Sequence, residues 1–314
     1  MLAKVRKHIL TSIIIGAILY LFMSLYADMD AVFNSFENFG LALIPILLLL
    51  SFLNYLTRFF KWHYYLFILG VKISYKDSLL IFMSGLIMSV TPGKFGEVMK
   101  SFMVKQITDE PISKTAPVML VERITDFLSL LFIALIGSYV FGIGEGLVVG
   151  TSIFFIFLII FLSNTKYAYF FFNILSRFKA VNKIIPKIKE AYQSSYIMLK
   201  PKPLFLMFLL SLFSWFFECF GFYLILAKFN VQITVLWASF VYAFSTILGS
   251  ITMLPGGLGV TDGSLTFLLI DNSIDKDIAV ASTFIIRIVT LWFAVFVGIV
   301  SVLIYQKKYG NIED

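Results

Sequence analysis

The chain has 314 residues, of which 60% are hydrophobic and 14% charged, with a mean hydropathy of +0.95 and a formal net charge of +7. Such a composition excludes an ordinary soluble globule, and runs of about 20 apolar residues, enough to cross about 30 Å of hydrocarbon, predict an all-α polytopic membrane protein. The single cysteine excludes an internal disulfide, and His8 and His63 are too far apart to give metal-ligand spacing.

Lys4, Arg6 and Lys7 precede an apolar stretch, 9–26. It is longer than a signal-peptide core, and Leu25-Tyr26-Ala27 is a poor cleavage site, so it reads as an uncleaved first helix leaving from a cytoplasmic N-terminus. Asp28–Asn38, with Asp28, Asp30 and Glu37, reads as an outer loop. A second helix, 40–60, returns to a basic inner segment with Arg58, Lys61, Lys72 and Lys76, beside an interface belt, Trp62-His63-Tyr64-Tyr65. An interrupted stretch, 78–107, follows. Helix 115–140 then leaves, the turn at Gly142–Gly146 carries Glu145 alone, and helix 147–163 comes back.

Segment 164–202 sets Lys166, Arg177, Lys179, Lys183, Lys187, Lys189, Lys200 and Lys202 against Glu190. With Tyr169-Phe170-Phe171-Phe172 it reads as a cytoplasmic connector whose helix lies on the inner leaflet. That placement accounts for the positive charge, so no nucleic-acid partner is expected. Helix 203–227 goes out, carrying Cys219 beside Phe220 as a buried, inert thiol. A second interrupted stretch, 235–270, precedes the acidic segment 271–277, helix 278–304 and a cytoplasmic tail, 306–314, with Lys307 and Lys308.

The two interrupted stretches share a motif. Thr91-Pro92-Gly93-Lys94-Phe95-Gly96 reappears as Leu254-Pro255-Gly256-Gly257-Leu258-Gly259, the prolines 163 residues apart (255 − 92). Arg123 and Arg287, each in the apolar run after its motif, keep almost the same offset, 164 (287 − 123). If each stretch enters and leaves on one side, every loop falls where its charge predicts, the first dipping from the cytoplasm and the second from outside. The expected fold is about six transmembrane helices plus two re-entrant hairpins in an inverted-topology repeat. Residues 1–163 hold the first half, and 203–305 with 147–163 the second. Two full crossings per stretch are the alternative that sidedness leaves open. Proline ends a helix and glycine permits the reversing turn, while amides of the restarted helix would favour an anion.

Charges inside apolar runs need a partner or a function, at roughly 2.5–3.5 kcal/mol each on insertion scales. Glu122, Arg123 and Asp126 share one run, with Arg123 and Asp126 on one face. Glu97 and Asp262 follow the two turns, on segments expected to pack beside Arg123 and Arg287. Lys94 sits in the first turn and Glu218 in the fifth long helix. Structural ion pairing is one reading. The other is a bidentate arginine grip on a phosphate, oriented by the carboxylates. Arg287 lacks a carboxylate within one turn of its own helix and is expected to be the more available ligand.

The blocks Thr91-Pro92-Gly93-Lys94-Phe95-Gly96-Glu97-Val98, Val121-Glu122-Arg123-Ile124-Thr125-Asp126 and Leu254–Gly263 resemble the flippase-like membrane domain of lysylphosphatidylglycerol synthase/flippases, over about residues 1–305. Asp262 stands where that family commonly has glutamate. The resemblance implies movement of lipid between leaflets. The 314 residues contain neither the extra membrane unit nor the soluble aminoacyl-transfer domain of the bifunctional members, so no synthase activity is expected of them.

The expected function is translocation, in the cytoplasmic membrane, of a lipid with an anionic, phosphate-containing head group. The substrate-binding residues would be Arg287, Arg123, Asp262, Glu97, Glu122, Asp126, Lys94, Gly93, Gly256 and Gly257, with no cofactor, metal or catalytic residue. A lipid-linked group transferase, a transporter of a small anion, and a partner of a lipid-synthesis enzyme are the alternatives. No nucleotide-binding G-x-x-x-x-G-K-[ST] loop is present, so uphill transport would draw on an ion gradient.

Overall fold

The computed structural model describes residues 2–166, 168 and 184–311, and of residues 2–10, 12, 13, 94 and 95 the backbone only. These residues form helices and turns, with no strand among them. In order they are α1 (Leu2–Tyr26), α2 (Met29–Phe39), α3 (Ile44–Ile68), α4 (Tyr75–Gly85), α5 (Met99–Thr108), α6 (Ile112–Thr115) and α7 (Pro117–Phe141). Then come α8 (Glu145–Ser163), α9 (Ile185–Met198), α10 (Pro201–Lys228), α11 (Val235–Ile251), α12 (Val260–Asp271), α13 (Lys276–Arg287) and α14 (Phe293–Tyr309). Five helical runs are long and apolar enough to cross a membrane: α3, α6 with α7, α8, α10, and α13 through α14. The pair α1–α2, bent by 103°, makes a sixth if it is one span.

Prolines without an amide N–H open several of these helices, Pro45 in α3, Pro117 in α7 and Pro201 in α10. Helix α8 buries little of its surface and turns Ile153, Phe154, Ile156, Phe157 and Ile160 outward, as a lipid-facing helix does. Cys219 is fully buried, as expected.

Both interrupted stretches are hairpins. In hairpin 1, α4 continues as 3-10 turns through Leu86–Val90, reverses over residues 91–93, and returns through the turns up to Val98 into α5, which packs back on α4. In hairpin 2, α11 reverses at Pro255–Gly257 and returns as α12, packed on α11. With 12 residues, α12 is about 18 Å long, too short for a 30 Å hydrocarbon layer.

The same local chemistry builds both. Each is entered through a left-handed residue, Gly70 (φ 72°) or Asn230 (φ 59°). The next amide then bonds back five residues, Val71 to Leu66 and Val231 to Leu226. Ser74 and Thr234 cap α4 and α11 through the amides of Asp77 and Trp237. Each tip reverses at a positive-φ glycine, Gly93 (56°) or Gly256 (60°), and each hairpin exits through another left-handed residue, Asp109 or Ser273. The tips touch. The Gly93 amide donates to the Met253 carbonyl at 3.0 Å, and Val90, Leu258, Leu291 and Val295 form a small apolar plug around them.

The helix after each hairpin packs on the other one: α7 lies along α11, and α14 along α4. Contacts gather the loops at two ends. At one end Ser35 donates to Asp277 at 2.7 Å, Lys276 sits 4.8 Å from the Tyr26 ring, and Phe39 meets Phe229. At the other, Lys308 and Tyr309 donate to Asp77, Gln106 donates to the Tyr309 carbonyl, and Ser113 bonds Glu190. Hairpin 2 opens at the first end and hairpin 1 at the second.

Three sequence expectations are corrected. Asp28–Asn38 is largely helix α2, packed on α13, because Val32, Ser35 and Phe39 form a buried stripe. The second helix runs on to Ile68, so Arg58 and Lys61 lie inside it and are buried. Trp62 and Tyr65 are buried too, 1% and 0% exposed, so they form core rather than an interface belt. Residues 167 and 169–183 of the Lys166–Lys202 connector, including Tyr169–Phe172, Arg177, Lys179 and Lys183, lie outside the described residues.

Candidate functional site

Arg123 and Arg287 each meet the carboxylate that follows the Pro-Gly turn of the preceding hairpin. Arg123 Nη2 donates to Glu97 Oε1 at 2.6 Å, and Arg287 Nε donates to Asp262 Oδ1 at 2.9 Å. In both halves an ion pair therefore ties the returning limb of a hairpin to the next helix. A buried pair of this kind is costly to break from one side, because the remaining charge is stranded.

Around Arg287 the arrangement is compact. Its Nη2 donates to the Gly256 carbonyl at the hairpin tip, and the second oxygen of Asp262 accepts the Gly259 amide at 2.9 Å. The guanidinium thus spans tip and limb in a way a lysine could not. Directly after it the chain makes a π-helical turn, Ile288–Trp292, whose Thr290 carbonyl accepts the Tyr55 hydroxyl at 2.7 Å. The amides of Gly257, Leu258 and Gly259 are all taken within the turn, by Leu254, Pro255 and Asp262. They do not add to an anion site, contrary to the expectation drawn from the motif.

The first half holds a larger network. Glu97 also meets Lys100 at 3.3 Å, and Lys100 donates to Glu122 at 2.8 Å. Asp126 meets Arg58 at 3.1 Å, the Lys61 ammonium, and Arg123 at 3.8 Å. Lys61 further donates to Ser211 at 2.7 Å, binding α3 to α10. Lys100 reaches this interior because α4 has glycine at 85, where a Cβ would lie 2.6 Å from Lys100 Cδ. Its ammonium stands 4.3 Å from the Trp62 ring centroid.

Two residues differ from expectation. Arg123, not Arg287, is the more accessible arginine, its side chain 20% exposed against 9%. Its Nε and that of Arg58 are buried without a hydrogen-bond partner among the described residues. The Gly93 amide makes the tip-to-tip contact, and the Lys94 side chain lies outside the described residues. Arg58, Lys61 and Lys100 were missed as site residues. Asn54, Arg58, Lys61 and Tyr65 recur at i, i+4, i+7 and i+11, one helical face, and that stripe was the available signal. Among the described residues no group of three or more histidine, cysteine or carboxylate side chains could hold a metal.

The chain is similar to a family model described as the lysylphosphatidylglycerol synthase TM region over residues 9–298. A UPF0104 membrane protein of Methanocaldococcus jannaschii is 27% identical over 223 residues, 70% of this chain and 94% of the relative. A second from the same archaeon is 22% identical across 94% of both chains. One from Pyrococcus horikoshii is 22% identical over 96% of this chain and 98% of its own. The match takes in both hairpins and both arginine–carboxylate centres, and the chain belongs to the family of the lysylphosphatidylglycerol synthase transmembrane region.

Proposed function

We propose that this protein moves a lipid with an anionic, phosphate-containing head group between the leaflets of the cell membrane. Its two halves would form an inverted-topology repeat with cytoplasmic termini. The family and the membrane-spanning fold support a lipid-related role. The observation that carries the reading is Arg123, a guanidinium whose side chain is 20% exposed near the tip of hairpin 1 while it is held by Glu97 and Asp126. A phosphate oxygen would approach its exposed side, and Glu97 and Asp126 would hold the fork in orientation. Arg123 is also the cation that the fold needs least. Without it Glu97 keeps Lys100, and Asp126 keeps Arg58 and Lys61.

The test is reconstitution of the wild-type protein into liposomes carrying a panel of head-group-labelled lipids, read as loss of protection from dithionite. Anionic phospholipids should exchange faster than in protein-free liposomes and faster than lipids without a phosphate. Equal exchange with and without protein for every lipid would remove the proposal. Cysteines at Asp275 and Lys187, with Cys219 replaced, should label from opposite faces if the repeat is inverted. Labelling of both from one face would reject it.

A further inference from the structure

Asp126 is shared out so that the arginine on its own helix receives least of it. Arg123 and Asp126 stand three residues apart on α7, neighbours on one helix face and spaced to close on each other. Yet Arg123 Nη1 stays 3.8 Å from Asp126 Oδ2, beyond hydrogen-bonding distance. The reason lies on α3 and α10. Arg58 Nη2 donates to the same Oδ2 at 3.1 Å, while Oδ1 accepts the Lys61 ammonium and, at 3.1 Å, the Ser211 hydroxyl. Arg58 is itself fixed where α3 packs on α10. Its Cζ lies 5.9 Å from the Trp215 ring centroid, and one turn earlier Asn54 donates to the Ser214 carbonyl at 2.8 Å. Among the described residues Arg123 is therefore held by one hydrogen bond, from Nη2 to Glu97 at 2.6 Å. Arg287, by contrast, commits two nitrogens, Nε to Asp262 and Nη2 to the Gly256 carbonyl.

We propose that Arg58 is a positioning residue: by holding Asp126 it keeps Nη1 of Arg123 available to a head-group phosphate. This rests on the lipid-translocation reading above. Without Arg58, a small turn of the Asp126 carboxylate would bring Oδ2 from 3.8 Å onto Nη1. Arg123 would then be clamped between Glu97 and Asp126, with both Nη nitrogens donating. A carboxylate on the same helix competes as an intramolecular ligand, so a phosphate would have to displace it in order to bind. Lys61 cannot substitute for Arg58, because it holds the other oxygen of Asp126.

Phenylglyoxal, which bridges the two Nη nitrogens of an arginine, tests this on the detergent-solubilised full chain, with peptide mass spectrometry reading the rate at Arg123. Wild type should react. Arg58→Met should react about tenfold more slowly, the worth of one charge-assisted hydrogen bond. Arg58→Met/Asp126→Asn should return to the wild-type rate, because no carboxylate at 126 is left to close on Arg123. A purely structural role would loosen the site and speed the reaction, so an equal or faster rate in Arg58→Met overturns the proposal. Lys61→Met removes the same charge but leaves Oδ2 with Arg58. Slowing there equal to that in Arg58→Met also overturns it, by making the lost charge the cause. If Arg58→Met does not fold, the double variant decides, and loss of labelling in it overturns the proposal. So does a wild-type Arg123 that never reacts. Dioctanoylphosphatidic acid should slow the labelling of wild type. Absence of that protection, with the variants behaving as expected, overturns the phosphate and with it the lipid reading, and leaves Arg58 as the residue that holds Arg123 open.

Discussion

The two hairpins are built from the same turns yet secured differently. Hairpin 2 is held to α13 by one guanidinium, which grips Asp262 and the Gly256 carbonyl together. Hairpin 1 is held by a network in which Glu97, Glu122 and Asp126 share Arg58, Lys61, Lys100 and Arg123. A single clamp has no redundancy, so Arg287 is committed to structure. A shared network can release one member, and Arg123 is the member at its accessible edge. Equivalent sequence positions thus sit in unequal surroundings: one arginine alone fastens a hairpin, and the other lies at the partly exposed edge of a shared network.

That contrast can be broken most severely at the arginines. Arg287→Ala should destabilise by about 3–5 kcal/mol, because it strands buried Asp262 and frees the hairpin tip. Arg123→Ala should cost well under that, since both of its carboxylates retain other cations. Thermal unfolding in detergent measures both, and a larger loss for Arg123→Ala would reverse the assignment.

The reciprocal packing offers the next comparison. A Cβ at Gly298 of α14 would lie 2.2 Å from the main-chain nitrogen of Ile87 in hairpin 1. One at Gly137 of α7 would lie 2.4 Å from Phe240 Cβ in hairpin 2. Each alanine should cost about 1–3 kcal/mol. Gly298→Ala should cost more, because its Cβ would run into main chain at 2.2 Å, whereas at Gly137 it meets a side chain at 2.4 Å. Equal melting temperatures for Gly298→Ala and wild type would show that α14 and hairpin 1 are not in firm contact.

How much of this was legible in the sequence depends on what encoded it. Paired Pro-Gly motifs and the offsets of Arg123 and Arg287 exposed both hairpins and the Glu97 and Asp262 pairings, because proline, glycine and buried charge act locally. The entry turns Gly70-Val71-Lys72-Ile73-Ser74 and Asn230-Val231-Gln232-Ile233-Thr234 repeat as well, but they look like ordinary loop sequence until both left-handed residues are seen. Arg58 and Lys61 read as a basic inner segment because a charge count cannot tell a helix end from a helix interior. Burial of Lys100 depended on Gly85, fifteen residues earlier, which no local pattern announces. The relative exposure of the two arginines followed from tertiary partners that lie far apart in the chain.

The smallest expected effect is at the mouth of hairpin 1. Burial alone would raise the Asp77 carboxyl, but hydrogen bonds from Lys308, Ser74 and Tyr309 outweigh it and bring it down from 3.8 to about 2. With the folded value below the unfolded one, the stabilisation is full above about pH 4 and is lost as pH falls through about 2. Asp77→Asn should lower the melting temperature slightly at pH 7, and the gap from wild type should close toward pH 2. A gap independent of pH would show that the carboxylate charge is not what fastens α14 to this hairpin.

The central claim, that Arg123 faces the travelling head group while Arg287 fastens a hairpin, is tested most directly by dithionite-accessible anionic phospholipid in liposomes containing wild type or Arg123→Ala at matched density. The variant should remain folded, by its melting transition, and lose translocation at least about tenfold, the cost of one charge-assisted phosphate contact of about 1.5–3 kcal/mol. Wild-type exchange rates in folded Arg123→Ala would contradict the account.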